Sequence, residues 1–144
     1  MRAVIHKLLL LLAIFSFFAV TDAHAQKAPK CVKVAKSHRP NWLRIDTQKL
    51  NRFYQNFDDK ATFSNMKVVK SELAFYLLAK EKEGNRIFAF ELEQKGKRLF
   101  LNKFYPVQTC DEGELSLDTF LQVDGKIQGC RQGTHTIRQI KKEK

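Results

Sequence analysis

Between residues 46 and 101 the apolar positions change their period, and the change divides this stretch into a helix followed by strands. Leu50, Phe53, Tyr54 and Phe57 recur at i, i+3, i+4 and i+7, while Gln48, Lys49, Asn51, Arg52, Gln55 and Asn56 fill the other face. That spacing predicts one amphipathic helix, with Asp46 or Thr47 as its N-cap and Asp58-Asp59 closing it. From about Met66 the period falls to two. Leu73, Phe75, Leu77 and Ala79 alternate, then Phe88, Phe90 and Leu92, then Leu99 and Leu101, with turn signals at Gly84-Asn85 and Lys95-Gly96. Two-residue turns there would set Leu92 opposite Leu99, Phe90 opposite Leu101, Leu77 opposite Leu92 and Ala79 opposite Phe90. They would also place Glu83 by Arg86 and Glu93 by Arg98. A further hairpin is expected over residues 118–130, around a type I′ turn at Asp124-Gly125, with Phe120 and Ile127 on one side.

The expected fold is therefore α+β, one amphipathic helix packed on an antiparallel β-meander of about four to six strands. The second face of that sheet carries Tyr76, Leu78, Ala89 and Phe100 among charged residues. Either the C-terminal hairpin covers these positions, or they meet a ligand or another chain.

The N-terminus has a different character. Arg2 and Lys7 precede an apolar run from Leu8 to Val20, and Ala23-His24-Ala25 follows. This is the layout of a cleavable signal peptide over residues 1–25. The run falls short of the roughly 20 apolar residues that a membrane span needs. The mature chain is then expected to begin at Gln26 and to be exported, either secreted or periplasmic, without a transmembrane anchor. Behind the signal lie a basic segment at 26–45, a single domain at 46–140 and a polar tail at 141–144. Export places Cys31, Cys110 and Cys130 in an oxidising compartment. Of the three pairings, Cys110 with Cys130 is favoured, since both lie in the C-terminal third. Closing that loop is worth roughly 3 kcal/mol on the chain-entropy account.

Composition adds a charge problem. The 144 residues hold 26 Lys+Arg against 15 Asp+Glu, a net +11, and a mean hydropathy of −0.38 excludes a polytopic helical membrane protein. The charge is unevenly spread. Residues 27–52 carry eight bases against Asp46 alone, and residues 111–124 carry five acids and no base. Lys27, Lys30, Lys33, Lys36 and Arg39 recur at every third position. In an extended or polyproline-like chain this period lines the charges along one edge, either as a binding segment or as a solvated arm that aids solubility. Lys30, Lys33, Lys36, Arg39 and Trp42 are accordingly the candidate binding residues, with Trp42 either anchoring the segment on the core or stacking on a ligand. Phe104-Tyr105, after Lys103, is a second place where an aromatic meets a base.

Catalytic motifs are missing. There is no H-E-x-x-H, no C-x-x-C, no P-loop and no G-x-S-x-G. The acids Asp111, Glu112, Glu114 and Asp118 lack the order of a calcium loop. No metal and no cofactor is expected. His38 and His135 are the two histidines of the mature chain. They are the only candidate acid–base pair for a small basic nuclease-like hydrolase, with Arg39, Arg131 or Arg138 stabilising charge. Three classes of function remain. The leading one is a non-enzymatic exported domain that binds an anionic polymer or surface, nucleic acid being disfavoured by export. The others are that hydrolase, and an assembly protein associating through Tyr76, Leu78 and Phe100.

Overall fold

The computed structural model describes residues 27–142; the signal peptide expected at 1–25 and the end of the polar tail lie outside them. Over the described residues the chain is largely antiparallel sheet with a single helix. Its strands are β1 (Cys31–Lys36), β2 (Phe63–Lys70), β3 (Phe75–Glu81), β4 (Ile87–Lys95), β5 (Arg98–Asn102), β6 (Val107–Cys110), β7 (Phe120–Val123), β8 (Lys126–Cys130) and β9 (His135–Arg138). The helix α1 (Thr47–Tyr54) lies between β1 and β2.

Strand β4 is the spine. One of its edges pairs with β3, and the other is shared: Leu92–Lys95 pair with β5, and Ile87–Phe90 with β6. β5 and β6 are thus two pieces of one broken strand, separated by residues 103–106. The next column is broken in the same way, with β1 on β5 and β9 on β6. With β2 at the opposite edge, five columns curl into a half-barrel.

The apolar stripe of the helix lies in the inward core. Leu50, Phe53, Tyr54 and Phe57 are buried there with Leu77, Ala79, Phe88, Phe90, Leu99 and Leu101. The Tyr54 ring meets Phe63, Phe88 and Phe90 edge-on at 5.4, 5.5 and 5.8 Å, the favoured arrangement for aromatic quadrupoles. Asp46 caps the helix, its Oδ1 accepting from Lys49 N at 2.8 Å. The helix ends at Tyr54, and Phe57 sits in the turn that follows, where its N–H donates to Tyr54 O.

Both meander registers differ from expectation by two residues. Leu77 faces Phe90, Ala79 faces Phe88, Leu92 faces Leu101, and Leu99 faces Gln94. The β4–β5 loop consists of Gly96 and Lys97, because glycine takes the first loop position with φ +58° while Lys97 keeps a negative φ. That is the type II′ pattern. The β3–β4 loop is longer than two residues and closes on Glu81 N donating to Arg86 O, with the Arg86 guanidinium forked on the Glu81 carboxylate. Arg86 therefore pairs with Glu81 rather than Glu83, and Glu93 stands opposite Phe100 rather than Arg98. A shift of two leaves every side chain on its expected face, whereas a shift of one would have inverted the sheet.

Two further expectations are corrected. Leu73 is 71% exposed in the β2–β3 turn, so β3 starts at Phe75 and the alternation at 73 belongs to no strand. Residues 31–36 of the basic segment form an edge strand instead of a solvated arm. The half-barrel is five strands wide, within the four to six expected; two of its columns are each built from two segments, and two further strands make the hairpin.

The second face is covered over half its length. Tyr76, Leu78, Ile87 and Ala89 are buried beneath Phe120 and Ile127 of the β7–β8 hairpin. Asp124 (φ +50°) and Gly125 (φ +73°) make its type I′ turn. Ser71 Oγ donates to Gly125 O at 2.6 Å, Ile127 N donates to the Tyr76 hydroxyl at 3.1 Å, and Lys126 Nζ reaches Glu91 Oε1 at 2.9 Å. The Cys110–Cys130 disulfide, with a Cα–Cα distance of 5.7 Å, ties β8 to β6. Tyr76, Leu78 and Ala89 are consequently not an open association face, because the protein's own hairpin occupies it.

Candidate anion-binding face

The uncovered half of that second face lies where β1, β5 and the end of β4 meet. Here the bases of the N-terminal segment gather with one that is distant in sequence. Lys33 stands opposite Phe100 and Lys36 opposite Arg98. Both partners alternate with core-facing Leu99 and Leu101, so both lysines share the outward face. Their spacing of three would put them on opposite faces of a regular strand. A register shift between Lys33 and Ala35 prevents this; it also buries Val34 and Ala35 together.

The chain then turns back along the open edge of β1. Arg39 N donates to Lys36 O, Trp42 N to Arg39 O, and Arg44 N to Val34 O at 2.7 Å. Lys36, Arg39, Trp42 and Arg44 thereby line a small cleft. Trp42 is 71% exposed, and the Arg39 guanidinium lies 5.4 Å from its ring centroid. It does not anchor the segment on the core; it stands in solvent as an aromatic platform. Desolvation, followed by the charges of Arg44, Arg98 and Lys36, holds the Lys33 ammonium below its ordinary pKa. Each of those charges is close enough to act on Lys33.

Among the described residues, Lys33, Lys36, Arg39, Arg44 and Arg98 take part in no ion pair. Glu93, the acid opposite Phe100, is already engaged by Lys95 Nζ at 3.3 Å and Asn102 Nδ2 at 3.0 Å. Cys31 is exposed on the same strand; desolvation raises its thiol pKa and the charge of Lys95 pulls it the other way.

A second charged group, which sequence reasoning missed, is built in the opposite way. At the mouth of the half-barrel, Asp59 Oδ2 accepts from Tyr54 Oη at 2.8 Å and from Arg86 at 3.1 Å, with Arg138 Nε at 3.4 Å. Arg86 also forks onto Glu81. Here bases and acids answer one another, which suits a structural joint and leaves little charge for a ligand.

The two histidines are not brought together. Ser37 N donates to Lys97 O, which puts His38 beside the β4–β5 turn. His135 faces Cys110, which faces Ile87 at the other end of β4. Roughly 25 Å of strand separates those ends at ~3.3 Å per residue. His38 lines a cleft of about 620 Å³ with Lys70, Glu72, Phe75, Glu91 and Gln94. His135 Nε2 is instead hydrogen-bonded to Gln108 Oε1 at 2.9 Å. Among the described residues no group of three or more His, Cys, Asp or Glu is placed to hold a metal ion, and Glu112, Glu114 and Asp118 line a loop cleft that also holds Arg131.

Comparison with protein families, with curated proteins and with solved structures finds no match to this chain.

Proposed function

We propose that this protein is an exported, non-enzymatic binding domain that takes an anionic partner on the face formed by Lys33, Lys36, Arg39, Trp42, Arg44 and Arg98. The observation that supports this reading is the contrast between two charge groups in one molecule. The Asp59 group is internally matched, whereas the β1–β5 face gathers, around an exposed indole, five cations that join no ion pair among the described residues, and its neighbouring acid, Glu93, is already engaged by Lys95. Like charges held together by a folded backbone repel one another, and a polyvalent anion relieves that repulsion while releasing counterions. The disulfide and the signal-like N-terminus are compatible with export, and no helix among the described residues is long and apolar enough to cross a membrane. Catalysis by His38 and His135 has no shared cleft to support it.

Heparin affinity chromatography tests the assignment. The K33Q/K36Q/R98Q variant is expected to elute at clearly lower salt than wild type. A charge-matched K67Q/K80Q/K82Q variant, altered on exposed positions of β2, β3 and the β3–β4 loop, is expected to elute close to wild type. Equal shifts in the two variants would reduce the effect to net charge and remove the assigned face.

A further inference from the structure

The outer column of the sheet is broken between β9 and β1, and a basic pocket fills the break. Lys103 N donates to Lys30 O, extending the β1–β5 ladder by one step. From the other side the chain leaving β9 runs towards the same point, with Gln139 Nε2 donating to Phe104 O and Ile140 packed against the core. Lys30, Lys103, Lys141 and Lys142 thereby surround Phe104 and Ile140 in a cleft of about 360 Å³. The ammonium groups of Lys103 and Lys142 lie 4.7 and 5.8 Å from the Phe104 ring centroid. None of the four lysines joins an ion pair among the described residues. Three segments remote in sequence thus converge to build a second cationic site, and it stands at one end of β1. The face assigned above stands at the other end, beyond Lys33. Between Lys30 and Lys36 the strand covers roughly 20 Å.

Resting on the proposed anion-binding reading, we infer that the partner is a linear acidic polysaccharide that follows the β1 edge and occupies both sites at once. A compact anion could neutralise one cluster only. A chain longer than ~20 Å reaches both, and the second contact is then intramolecular, so affinity rises without any new type of interaction. Exposed Trp42 at one site and half-buried Phe104 at the other offer apolar surfaces against which sugar rings rest between charged substituents. A disulfide-bonded protein works where thiols stay oxidised. Extracellular and envelope spaces of that kind are where acidic polysaccharide, rather than nucleic acid, is the abundant linear polyanion.

Trp42 is the sole tryptophan of the chain, so its fluorescence reports the β1–β5 face directly. Titration with a heparin disaccharide and with a heparin chain longer than ~20 Å is expected to show the chain binding at least about tenfold more tightly. In K103Q/K142Q, and in K30Q/K141Q as an independent variant, that advantage is expected to collapse while the disaccharide titration stays as in wild type. Equal affinity for short and long chains, or long-chain affinity unaltered in both pocket variants, would overturn the bridging inference and leave the β1–β5 face standing. If the K33Q/K36Q/R98Q variant also bound as wild type, the underlying reading would fall. Tighter binding of a single-stranded DNA of equal length and charge would replace the polysaccharide with nucleic acid.

Discussion

Asp59 joins three parts of the chain through one oxygen: Tyr54 at the end of α1, Arg86 at the head of β4 and Arg138 at the end of β9. Desolvation opposes its charge, but the Tyr54 hydrogen bond and the charges of Arg86 and Arg138 outweigh this and hold its carboxyl below the ordinary carboxylate value. The same site pushes Tyr54 well above the usual phenol range, first by burial and then through Asp59. A folded-state pKa below the unfolded one stabilises the fold above that range, and the stabilisation is lost as pH falls through the folded value. Asp59→Asn should therefore cost about 2 kcal/mol at neutral pH, since half-buried Arg138 loses its acid partner and Arg86 keeps only Glu81. It should also flatten the loss of stability below about pH 4. Urea unfolding of both proteins across acid pH decides the point; parallel curves would show that Asp59 does not carry this dependence. Sequence places Tyr54 on an apolar stripe and Asp59 where the helix stops. Their shared hydrogen bond depends on how the chain turns between them, and no residue pattern encodes that.

At the scale of elements, periodicity and register separate. Alternation assigns Leu77, Ala79, Phe88, Phe90, Leu92, Leu99 and Leu101 to one face, and all are buried there or in its continuation. The registers depend on which residue takes a positive φ and on how many residues the loop holds, and at both meander loops these choices shift the pairing by two. The β7–β8 hairpin is the case where the local signal suffices, because Asp124-Gly125 adopts positive φ at both central positions. Gly125 also serves the docking of this hairpin, accepting at its carbonyl from Ser71 Oγ and Leu73 N. A Cβ at Gly125 would approach within 2.9 Å of Leu73 Cγ in a backbone conformation that disfavours L side chains. Gly125→Ala is thus expected to cost about 1–3 kcal/mol, measured as a lowered urea midpoint, with the loss falling on the hairpin side in amide hydrogen exchange. An unchanged midpoint would mean that the hairpin docks without help from this turn.

Over the whole molecule, the charge imbalance becomes a spatial one. The acids at 111–118 lead from the Cys110 end of the spine, opposite the β4–β5 turn, and the lysines and arginines of the proposed binding face cluster near that turn. Cap and binding face are therefore separate and should respond separately. Replacing Cys110 and Cys130 by Ser should lower stability by roughly 3 kcal/mol, while elution from heparin stays that of wild type provided the variant is folded. Earlier elution of the folded variant would show that the hairpin cap and the basic face are coupled.

What the sequence determined by itself were properties that act over a few neighbouring residues. These include the amphipathic stripe of α1, the two-residue alternation of the central strands, the I′ turn and the excess of lysine in residues 27–39. Each reflects local geometry and burial that the residues impose without knowing their distant neighbours. The pairing of Cys110 with Cys130 was legible because few cysteines limit the choice. Tertiary structure alone decided that the basic segment is an edge strand, since its ladder partner β5 lies more than sixty residues along the chain. The bulge after Lys33 then decided that two lysines share a face with Arg98. The break between β9 and β1 decided that Lys30, Lys103 and Lys142 meet around Phe104. A site assembled from residues more than one hundred positions apart arises from chain closure, and chain closure leaves no periodic trace.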